Sequence, residues 1–373
     1  MAGIYLHIPF CKQACAYCNF HFSTSLRYKD DLVKALCKEI KQEKDYLNGA
    51  AVETIYFGGG TPSLLEVSEV ELLISKLFGY YPVSNNAEIT LEANPDDITE
   101  EKLKGWKSIG INRLSIGVQS FFEEELKWMN RAHNAEQAYS NLQLAREHFE
   151  NITMDLIYGS PLLTDEMWKQ NVDTAVGLNI PHLSCYALTV EEKTPLQKQI
   201  NLGTKKDVEN DKQAHQFLLL MRWLREKGYE HYEVSNFAKP GFRSRHNSSY
   251  WKGLPYLGLG PSAHSYNGVE RRWNIANNNL YIQSVTEGTA KRETELLTET
   301  QKLNEYIMIS LRTTEGLDLD KIEKGWRNDE RKRLEREVMK FYNNGFVKFN
   351  GACIQLTDEG MLRADGIASE LFA

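Results

Sequence analysis

The sequence lacks the features that mark several classes of protein. It contains no run of about 18 apolar residues, the length that a membrane helix needs. Its first residues, MAGIYLHIPF, include no basic segment of the kind that opens a secretion signal. Its 44 lysines and arginines are outnumbered by 51 aspartates and glutamates, so the net charge is −7 and no basic field attracts a nucleic-acid backbone. We therefore expect a cytoplasmic protein with no membrane segment and no nucleic-acid partner.

Cysteine is also scarce, and its distribution is uneven. Six cysteines in 373 residues are too few for the disulfide scaffold of a secreted protein, yet three of them fall within eight residues. Clustered thiols in a reducing compartment indicate a metal site. The other three stand alone in apolar surroundings, where we expect ordinary buried side chains: Cys37, Cys185 and Cys353.

The first two thirds of the chain alternate short apolar runs with amphipathic segments, which is the pattern of a βα repeat. Six such units fall short of the eight that close a full barrel, so we predict an α/β fold with a partial (βα)6 barrel. The predicted strands are Gly3–Ile8, Val52–Phe57, Ala87–Glu92, Arg113–Val118, Ile152–Tyr158 and His182–Leu188. The predicted helices are Leu26–Leu47, Glu66–Phe78, Glu100–Ser108, Ala135–Glu147, Thr164–Gly177 and Val208–Lys227.

The composition changes after the barrel, and the length of the chain also favours more than one domain. We predict that residues 1–235 form the barrel. Residues 236–295 are rich in Gly, Asn, Ser, Arg and Tyr without periodicity, which predicts an irregular connecting region. Residues 296–373 read as helices followed by a hairpin that turns at Asn350–Gly351, which is typical of a small winged-helix-like α+β domain.

The clustered cysteines lie directly after the first predicted strand, in Cys11-Lys-Gln-Ala-Cys15-Ala-Tyr-Cys18. Three soft thiolates suit an iron–sulfur cluster. Three ligands for a [4Fe–4S] cluster leave one iron open to a small chelating molecule. The alternative is a structural zinc site that His7 or His21 completes. We favour the cluster because this spacing is unusual for zinc.

Small and polar residues follow the next strands, at the edge where parallel α/β proteins place their sites. Gly58-Gly-Gly-Thr-Pro62 carries no side chain at three successive positions, so a ligand can approach its backbone closely. No lysine follows the turn and its spacing is not the dinucleotide fingerprint, so nucleotide-phosphate binding is the weaker interpretation. Glu92 ends the third predicted strand and Gln119 follows the fourth.

The cysteine spacing after a first barrel strand, with an aromatic residue before the third cysteine, resembles the radical S-adenosylmethionine superfamily. Further segments are similar to the branch of it that contains oxygen-independent coproporphyrinogen III oxidase and the HemW group of heme chaperones. The resemblance spans nearly the whole chain and implies a [4Fe–4S] cluster with S-adenosylmethionine on its open iron. The segments that carry it are Tyr5-Leu-His-Ile-Pro-Phe-Cys11, Gly58-Gly-Gly-Thr-Pro62, Gly117-Val-Gln-Ser120, Asp155-Leu-Ile-Tyr-Gly159 and Arg245-His-Asn-Ser-Ser-Tyr-Trp251.

The resemblance also implies which residues hold the cofactors. Cys11, Cys15 and Cys18 would ligate the cluster, and Glu92 would accept hydrogen bonds from the ribose hydroxyls. The other implied contacts with S-adenosylmethionine are Tyr5, Tyr17, Gly59, Gly60, Thr61, Gln119, Arg131, Asp155, Ala187 and His264. Taken alone, Glu92 could instead be a solvated acid, Arg131 a surface cation and Asp155 a structural acid.

Two functions are open within this branch. The oxidase decarboxylates coproporphyrinogen III by radical chemistry, whereas the HemW group binds heme and delivers it to respiratory proteins. After Cys18 this chain has Asn19-Phe20, where the oxidase continues with Gly and a further cysteine, and it begins ten residues before Cys11, without the oxidase's N-terminal extension. The resemblance therefore implies a heme chaperone, with the oxidase as the alternative. A radical enzyme acting on another substrate is a third reading, and whether the chain is an enzyme stays open.

The segment Arg245-His-Asn-Ser-Ser-Tyr-Trp251 is similar to the H-N-x-x-Y-W motif of the HemW group. It makes His246 a candidate axial ligand of heme iron, with Tyr250 and Trp251 as flat contacts for the macrocycle. Arg243 and Arg245 could pair with the propionates. Without the resemblance, the simpler interpretation is a hydrogen-bonded loop histidine beside core aromatics. The expected partners are heme and heme-accepting respiratory proteins, and a homodimer is compatible with the sequence.

Overall fold

A computed structural model describes residues 1–326 and 328–373 of the chain. Its strands form one 12-stranded sheet and a separate 3-stranded sheet. In chain order the strands are β1 (Ala2–Ile8), β2 (Val52–Gly59), β3 (Val83–Ala93), β4 (Arg113–Gln119), β5 (Ile152–Tyr158), β6 (His182–Ala187), β7 (Glu230–Glu233), β8 (Asn236–Ala238), β9 (Tyr256–Leu259), β10 (His264–Tyr266), β11 (Glu270–Asn274), β12 (Arg292–Leu296), β13 (Leu317–Asp318), β14 (Val347–Asn350) and β15 (Cys353–Leu356).

Helices separate most of these strands, and short 3-10 turns follow β2 and β3. In chain order the helices are α1 (Lys29–Gln42), α2 (Val67–Tyr80), α3 (Glu100–Ser108), α4 (Glu123–Trp128), α5 (Ala135–His148), α6 (Asp165–Gly177), α7 (Pro195–Asn201), α8 (Asn210–Glu226), α9 (Arg245–Trp251), α10 (Asn278–Glu287), α11 (Glu299–Leu311), α12 (Leu319–Gly325), α13 (Asn328–Glu337), α14 (Met339–Asn343), α15 (Asp358–Met361) and α16 (Ala364–Glu370).

The central strands confirm the predicted partial barrel. β1 to β6 run parallel and pair in chain order, and at least one helix lies between each strand and the next. The boundaries of the strands and helices differ from prediction mainly at their ends, as for α1, which is shorter than the predicted Leu26–Leu47. The capping boxes of α5 and α11, at Asn134 and Thr298, satisfy the first backbone N–H groups of those helices.

The two faces of β1 show how the barrel is filled. Successive side chains of a strand point to opposite faces. Ile4, Leu6 and Ile8 are fully buried in the hydrophobic core. Tyr5 and His7 occupy the other face, where the Tyr5 hydroxyl lies 3.1 Å from His7 Nδ1. The inner face of the barrel is therefore polar and aromatic, and the outer face is aliphatic.

The prediction that residues 236–295 are irregular is wrong, because this region extends the barrel sheet. β9 pairs in parallel with β1, and β10, β11 and β12 add antiparallel strands beyond it. β8 pairs with β6 and β7 at the other end of the sheet. These strands have only three to five residues, which is too short for an alternating pattern to show. The division of the chain into three domains remains a prediction.

The chain ends in a small subdomain, made of α11 to α16 and the sheet of β13, β15 and β14. Its β14–β15 hairpin confirms the predicted one. It contacts the barrel through an ion pair of 2.8 Å between Arg225 and Asp358, and through a hydrogen bond of 3.0 Å from the Val234 N–H to the Arg312 carbonyl oxygen. Across the described residues, no helix combines the length and the apolar character needed to cross a bilayer.

The backbones of the paired strands β9 and β10 approach each other closely at Gly258, which a substitution can test. A Cβ on Gly258 would lie 2.0 Å from the carbonyl oxygen of His264, so the backbone would have to shift. We expect Gly258→Ala to lower the free energy of unfolding by about 1–3 kcal/mol, measured by urea unfolding. The control is Gly79→Ala near the end of α2, where no atom lies within 4 Å and alanine is the better helix former. Equal losses in both variants would contradict this packing.

Candidate cluster and cofactor site

The loop 11–18 leaves β1 at the carboxyl edge of the sheet, and its three cysteines are all half-buried. The Cys11 N–H donates to the Ser23 carbonyl oxygen at 3.0 Å. The Ala16 N–H donates to the Met129 carbonyl oxygen at 2.9 Å. The loop is thus fastened by its backbone, and none of its three thiols is consumed in a disulfide.

The guanidinium of Arg131 ties this loop to the barrel. Its Nη1 lies 3.2 Å from the Sγ of Cys15, and its Nη2 donates to Asn94 Oδ1 at 2.8 Å and to the Gly117 carbonyl oxygen at 2.7 Å. Its Nε is buried without a hydrogen-bond partner among the described residues. Arg131 is therefore part of the wall of the site, and the interpretation as a surface cation does not hold.

A second contact reaches the loop from the glycine-rich turn. Thr61 Oγ1 lies 3.6 Å from the Sγ of Cys11 and accepts a hydrogen bond of 3.2 Å from Asn94 Nδ2. Burial raises the pKa of Cys11 to about 11 and also raises the pKa of Cys18. Asn94 directly follows β3 and belongs to the polar residues expected at this edge of the sheet, although it is not among the expected contacts with S-adenosylmethionine.

The turn at the end of β2 runs against the cysteine loop without side chains. Gly59 has a φ of +110°, and a Cβ there would lie 2.6 Å from His7 Nδ1. A Cβ on Gly60 would lie 2.6 Å from the carbonyl oxygen of Phe10. Only glycine fits these positions, and the exposed peptide groups can face a ligand directly.

Glu92 and Asp155 face the interior of the barrel on β3 and β5. Glu92 accepts hydrogen bonds from the Tyr56 hydroxyl at 2.8 Å and from the Gly59 N–H at 3.2 Å. Burial raises the pKa of Glu92 to about 7, and the nearby Asp155 carboxylate adds to this rise. Burial also raises the pKa of Asp155 to about 6. Neither carboxylate forms an ion pair within the described residues, so both can serve a ligand with a positive charge or with hydroxyl groups.

The remaining predicted cofactor contacts lie around the same end of the barrel. Gln119 is buried at the end of β4 with a φ of +69°, an uncommon conformation for a residue with a side chain. Ala187 ends β6. His264 begins β10, exposed, with its ring 5.7 Å from that of Trp273. Burial raises the pKa of Tyr17, in the cysteine loop.

His246 lies away from this edge, on helix α9, which packs against the amino-terminal half of β2. Its Nδ1 lies 2.8 Å from Thr54 Oγ1 and its Nε2 lies 2.9 Å from the Tyr250 hydroxyl. Its ring stacks on Tyr56 at 4.9 Å, and its backbone N–H donates to Glu88 at 3.0 Å. Burial lowers the pKa of His246 to about 3, so the ring is neutral at physiological pH.

This geometry bears on the predicted heme ligands. His246 is 2% exposed and both of its ring nitrogens are engaged, so heme iron could bind it only if one of these hydrogen bonds broke. Tyr250 is engaged by the same contact. Trp251, at the end of α9, is half-buried. The prediction that His246 ligates heme stays untested. In this structure the imidazole is buried inside the barrel, against the ring of Tyr56.

The zinc alternative can also be compared with the geometry. Both ring nitrogens of His7 have partners, the Tyr5 hydroxyl at 3.1 Å and the His21 carbonyl oxygen at 2.9 Å. Within residues 1–326 and 328–373, no three His, Cys, Asp or Glu side chains converge closely enough to hold a single ion. Three thiols from one loop, beside a side-chain-free turn, fit a multi-iron cluster better.

Comparisons with known proteins agree with this chemistry. The sequence profile of the Radical SAM superfamily matches residues 5–175, and that of the HemN C-terminal domain matches residues 297–363. The heme chaperone HemW of Lactococcus lactis is 33% identical over 95% of this chain and 93% of its own. The chain belongs to the HemW family. HemW of Bacillus subtilis is similarly 32% identical, over 97% of both chains.

The comparison with solved structures covers the fold of this HemW-family chain over its whole length. Coproporphyrinogen III oxidase (HemN) from Escherichia coli, a radical SAM enzyme, matches with a TM-score of 0.86 and 26% identity, over 100% of this chain and 90% of that chain. The match confirms the predicted fold class, including the small C-terminal subdomain. Membership of the radical SAM superfamily implies a [4Fe–4S] cluster and S-adenosylmethionine.

The role of the three cysteines can be tested by single substitutions. Cys11→Ala, Cys15→Ala and Cys18→Ala each remove one of the proposed iron ligands, so anaerobically reconstituted protein should lose most of its iron and acid-labile sulfide. The control is Cys37→Ala in α1, outside the loop. Undiminished iron and sulfide in the loop variants, or an equal loss in the control, would contradict the assignment.

The raised pKa of Glu92 predicts a dependence of stability on pH. In the folded protein this carboxyl keeps its proton up to about pH 7, whereas its ordinary pKa is 4.5, so its stabilising contribution is lost as the pH rises through that interval. Glu92→Gln cannot ionise and should reduce the fall in the free energy of unfolding by on the order of 2 kcal/mol between about pH 5 and pH 8. Urea unfolding without added cofactor measures it.

The control for this experiment is Glu71→Gln, an exposed position on α2. It should keep the slope of the unmodified protein. A slope that stays the same in Glu92→Gln would show that this carboxylate is not desolvated.

Proposed function

We propose that this chain binds heme and passes it to heme-accepting respiratory proteins. The observation that carries the proposal is the likeness to heme chaperones over nearly the full length of both chains, with 33% identity over 95% of this chain and 93% of the Lactococcus relative. The residues after the cluster loop support it, because Asn19-Phe20 stands where the oxidase pattern has Gly and cysteine.

We further propose that Cys11, Cys15 and Cys18 hold the cluster and that S-adenosylmethionine lies between the glycine-rich turn and Glu92. The cluster, when bound, supplies an open iron and an electron. Arg131 keeps the loop against β3 and β4. The peptide groups of the turn face the ligand, and Glu92 accepts from ribose hydroxyls. The other proposed contacts are Tyr5, Tyr17, Gly59, Gly60, Thr61, Gln119, Asp155, Ala187 and His264.

Oxidation of coproporphyrinogen III is the second candidate, and one observation favours it. HemN, a coproporphyrinogen III oxidase, shares the fold of this chain from end to end with a TM-score of 0.86. The same barrel end with its two buried carboxylates could face a porphyrinogen. The missing cysteine after Cys18 argues against this candidate.

One parallel experiment separates the two functions. Purified protein is reconstituted anaerobically with iron and sulfide and then given either hemin, or coproporphyrinogen III with S-adenosylmethionine and a reductant. We expect a shifted Soret band with hemin and no decarboxylated product with coproporphyrinogen III. Formation of protoporphyrinogen at many turnovers per chain, or the absence of any Soret change, would overturn the proposal.

The same titration tests the ligand role of His246. The conservative variant His246→Gln preserves one hydrogen-bonding group on α9 but offers no imidazole to iron. Since both ring nitrogens of His246 are already engaged, we expect its Soret maximum to match that of the unmodified protein. A displaced maximum in His246→Gln, with the fold intact by circular dichroism, would show that the imidazole reaches the iron.

A further inference from the structure

A groove of about 560 Å³ lies at the amino-terminal side of the barrel, between α9 and the C-terminal subdomain. Its barrel wall includes Thr54, and the subdomain contributes Tyr306 and Lys321. Sites for small ligands and cofactors commonly have about 300–1,000 Å³, so the groove is large enough for one. It is separate from the cysteine loop, which lies at the carboxyl ends of the strands.

We propose that this groove binds a flat tetrapyrrole with two carboxylates, namely the heme of the proposed function. The inference rests on that function and adds the place where the macrocycle lies. It puts heme and S-adenosylmethionine at opposite ends of the barrel. The two ligands then have separate entrances, and the C-terminal subdomain faces the heme.

The orientation of α9 leaves one side of this helix available to a ligand. His246 and Trp251 belong to the same short helix, but His246 points into the barrel while Trp251 lines the groove. The indole Nε1 of Trp251 is buried without a hydrogen-bond partner in the described part of the chain. The side of this helix that remains available to a ligand is therefore the tryptophan side.

The charged side chains of the groove suit a ligand with two carboxylates. Four cationic side chains line it, and two of them, Arg243 and Arg245, are each committed to a carboxylate 2.7 Å away. The three carboxylates of the lining are engaged as well: two take part in these ion pairs, and Asp318 accepts from the first backbone N–H groups of α12. Lys252 and Lys321 are exposed, and neither is part of an ion pair among the described residues. These two ammonium groups, which no carboxylate neutralises, match the two propionates of heme.

The aromatic side chains near the groove suit a flat ligand. Trp251 has the guanidinium of Arg312 5.5 Å from its ring, and the ammonium of Lys321 lies 4.2 Å from the ring of Tyr306. Each aromatic wall therefore has a cation beside it. A planar, apolar macrocycle with an anionic edge is complementary to this arrangement.

The test is a hemin titration of the full chain, followed in the Soret band. Lys252→Glu combined with Lys321→Glu should weaken hemin binding about ten-fold or more, because both proposed propionate partners become repulsive. Both lysines are exposed, so the fold should survive the exchange, and circular dichroism checks this. The matched control is Lys44→Glu combined with Lys206→Glu, two exposed lysines outside the groove, which should keep the affinity of the unmodified chain.

Hemin dimethyl ester, which lacks the propionate charges, makes the test specific. The unmodified chain should bind the ester more weakly than hemin, and the groove variant should bind the ester as the unmodified chain does. Unaltered hemin affinity in the groove variant would overturn the inference, as would an equal loss for hemin and its ester. If the unmodified chain itself failed to bind hemin, the proposed function would fail first.

Discussion

The position of the cysteine loop depends on the guanidinium of Arg131. It joins the Cys15 thiol to the side chain of Asn94 after β3 and to the backbone of Gly117 on β4. A planar fork with fixed donor directions can hold acceptors that lie farther apart than the single nitrogen of a lysine can reach. The loop therefore keeps one position relative to the barrel, and its thiols stay beside the glycine-rich turn.

The opposite end of the barrel is closed by helix α9 and its hydrogen bonds. Helix α9 packs under the strands, with the His246 imidazole bonded to Thr54 and Tyr250 and with Glu88 accepting from the backbone of its first turn. Buried polar groups without partners are costly, so this network makes the helix hard to displace. The barrel then has an end with the cysteine loop and an end with the groove, separated by the aromatic rings of Tyr5, Tyr56 and His246.

The sequence predicted the barrel well because six buried parallel strands read as short, continuous apolar runs between amphipathic helices. The prediction for the region after residue 235 was wrong because the strands there are short and pair with strands that are distant in the sequence, as β9 does with β1. The cysteines and glycines were identifiable from spacing and from the absence of side chains. The burial of His246 could not be predicted, because the residues next to a histidine do not show whether its helix will direct the side chain into the barrel interior.

The account depends most on one iron being left without a protein ligand, and Mössbauer spectroscopy tests this most directly. Protein reconstituted with ⁵⁷Fe would be measured before and after S-adenosylmethionine is added. We predict a [4Fe–4S] spectrum in which a single iron site changes on addition, as it gains the amino and carboxylate groups of the cofactor. A spectrum that does not respond, or a preparation that holds zinc without sulfide, would contradict the account.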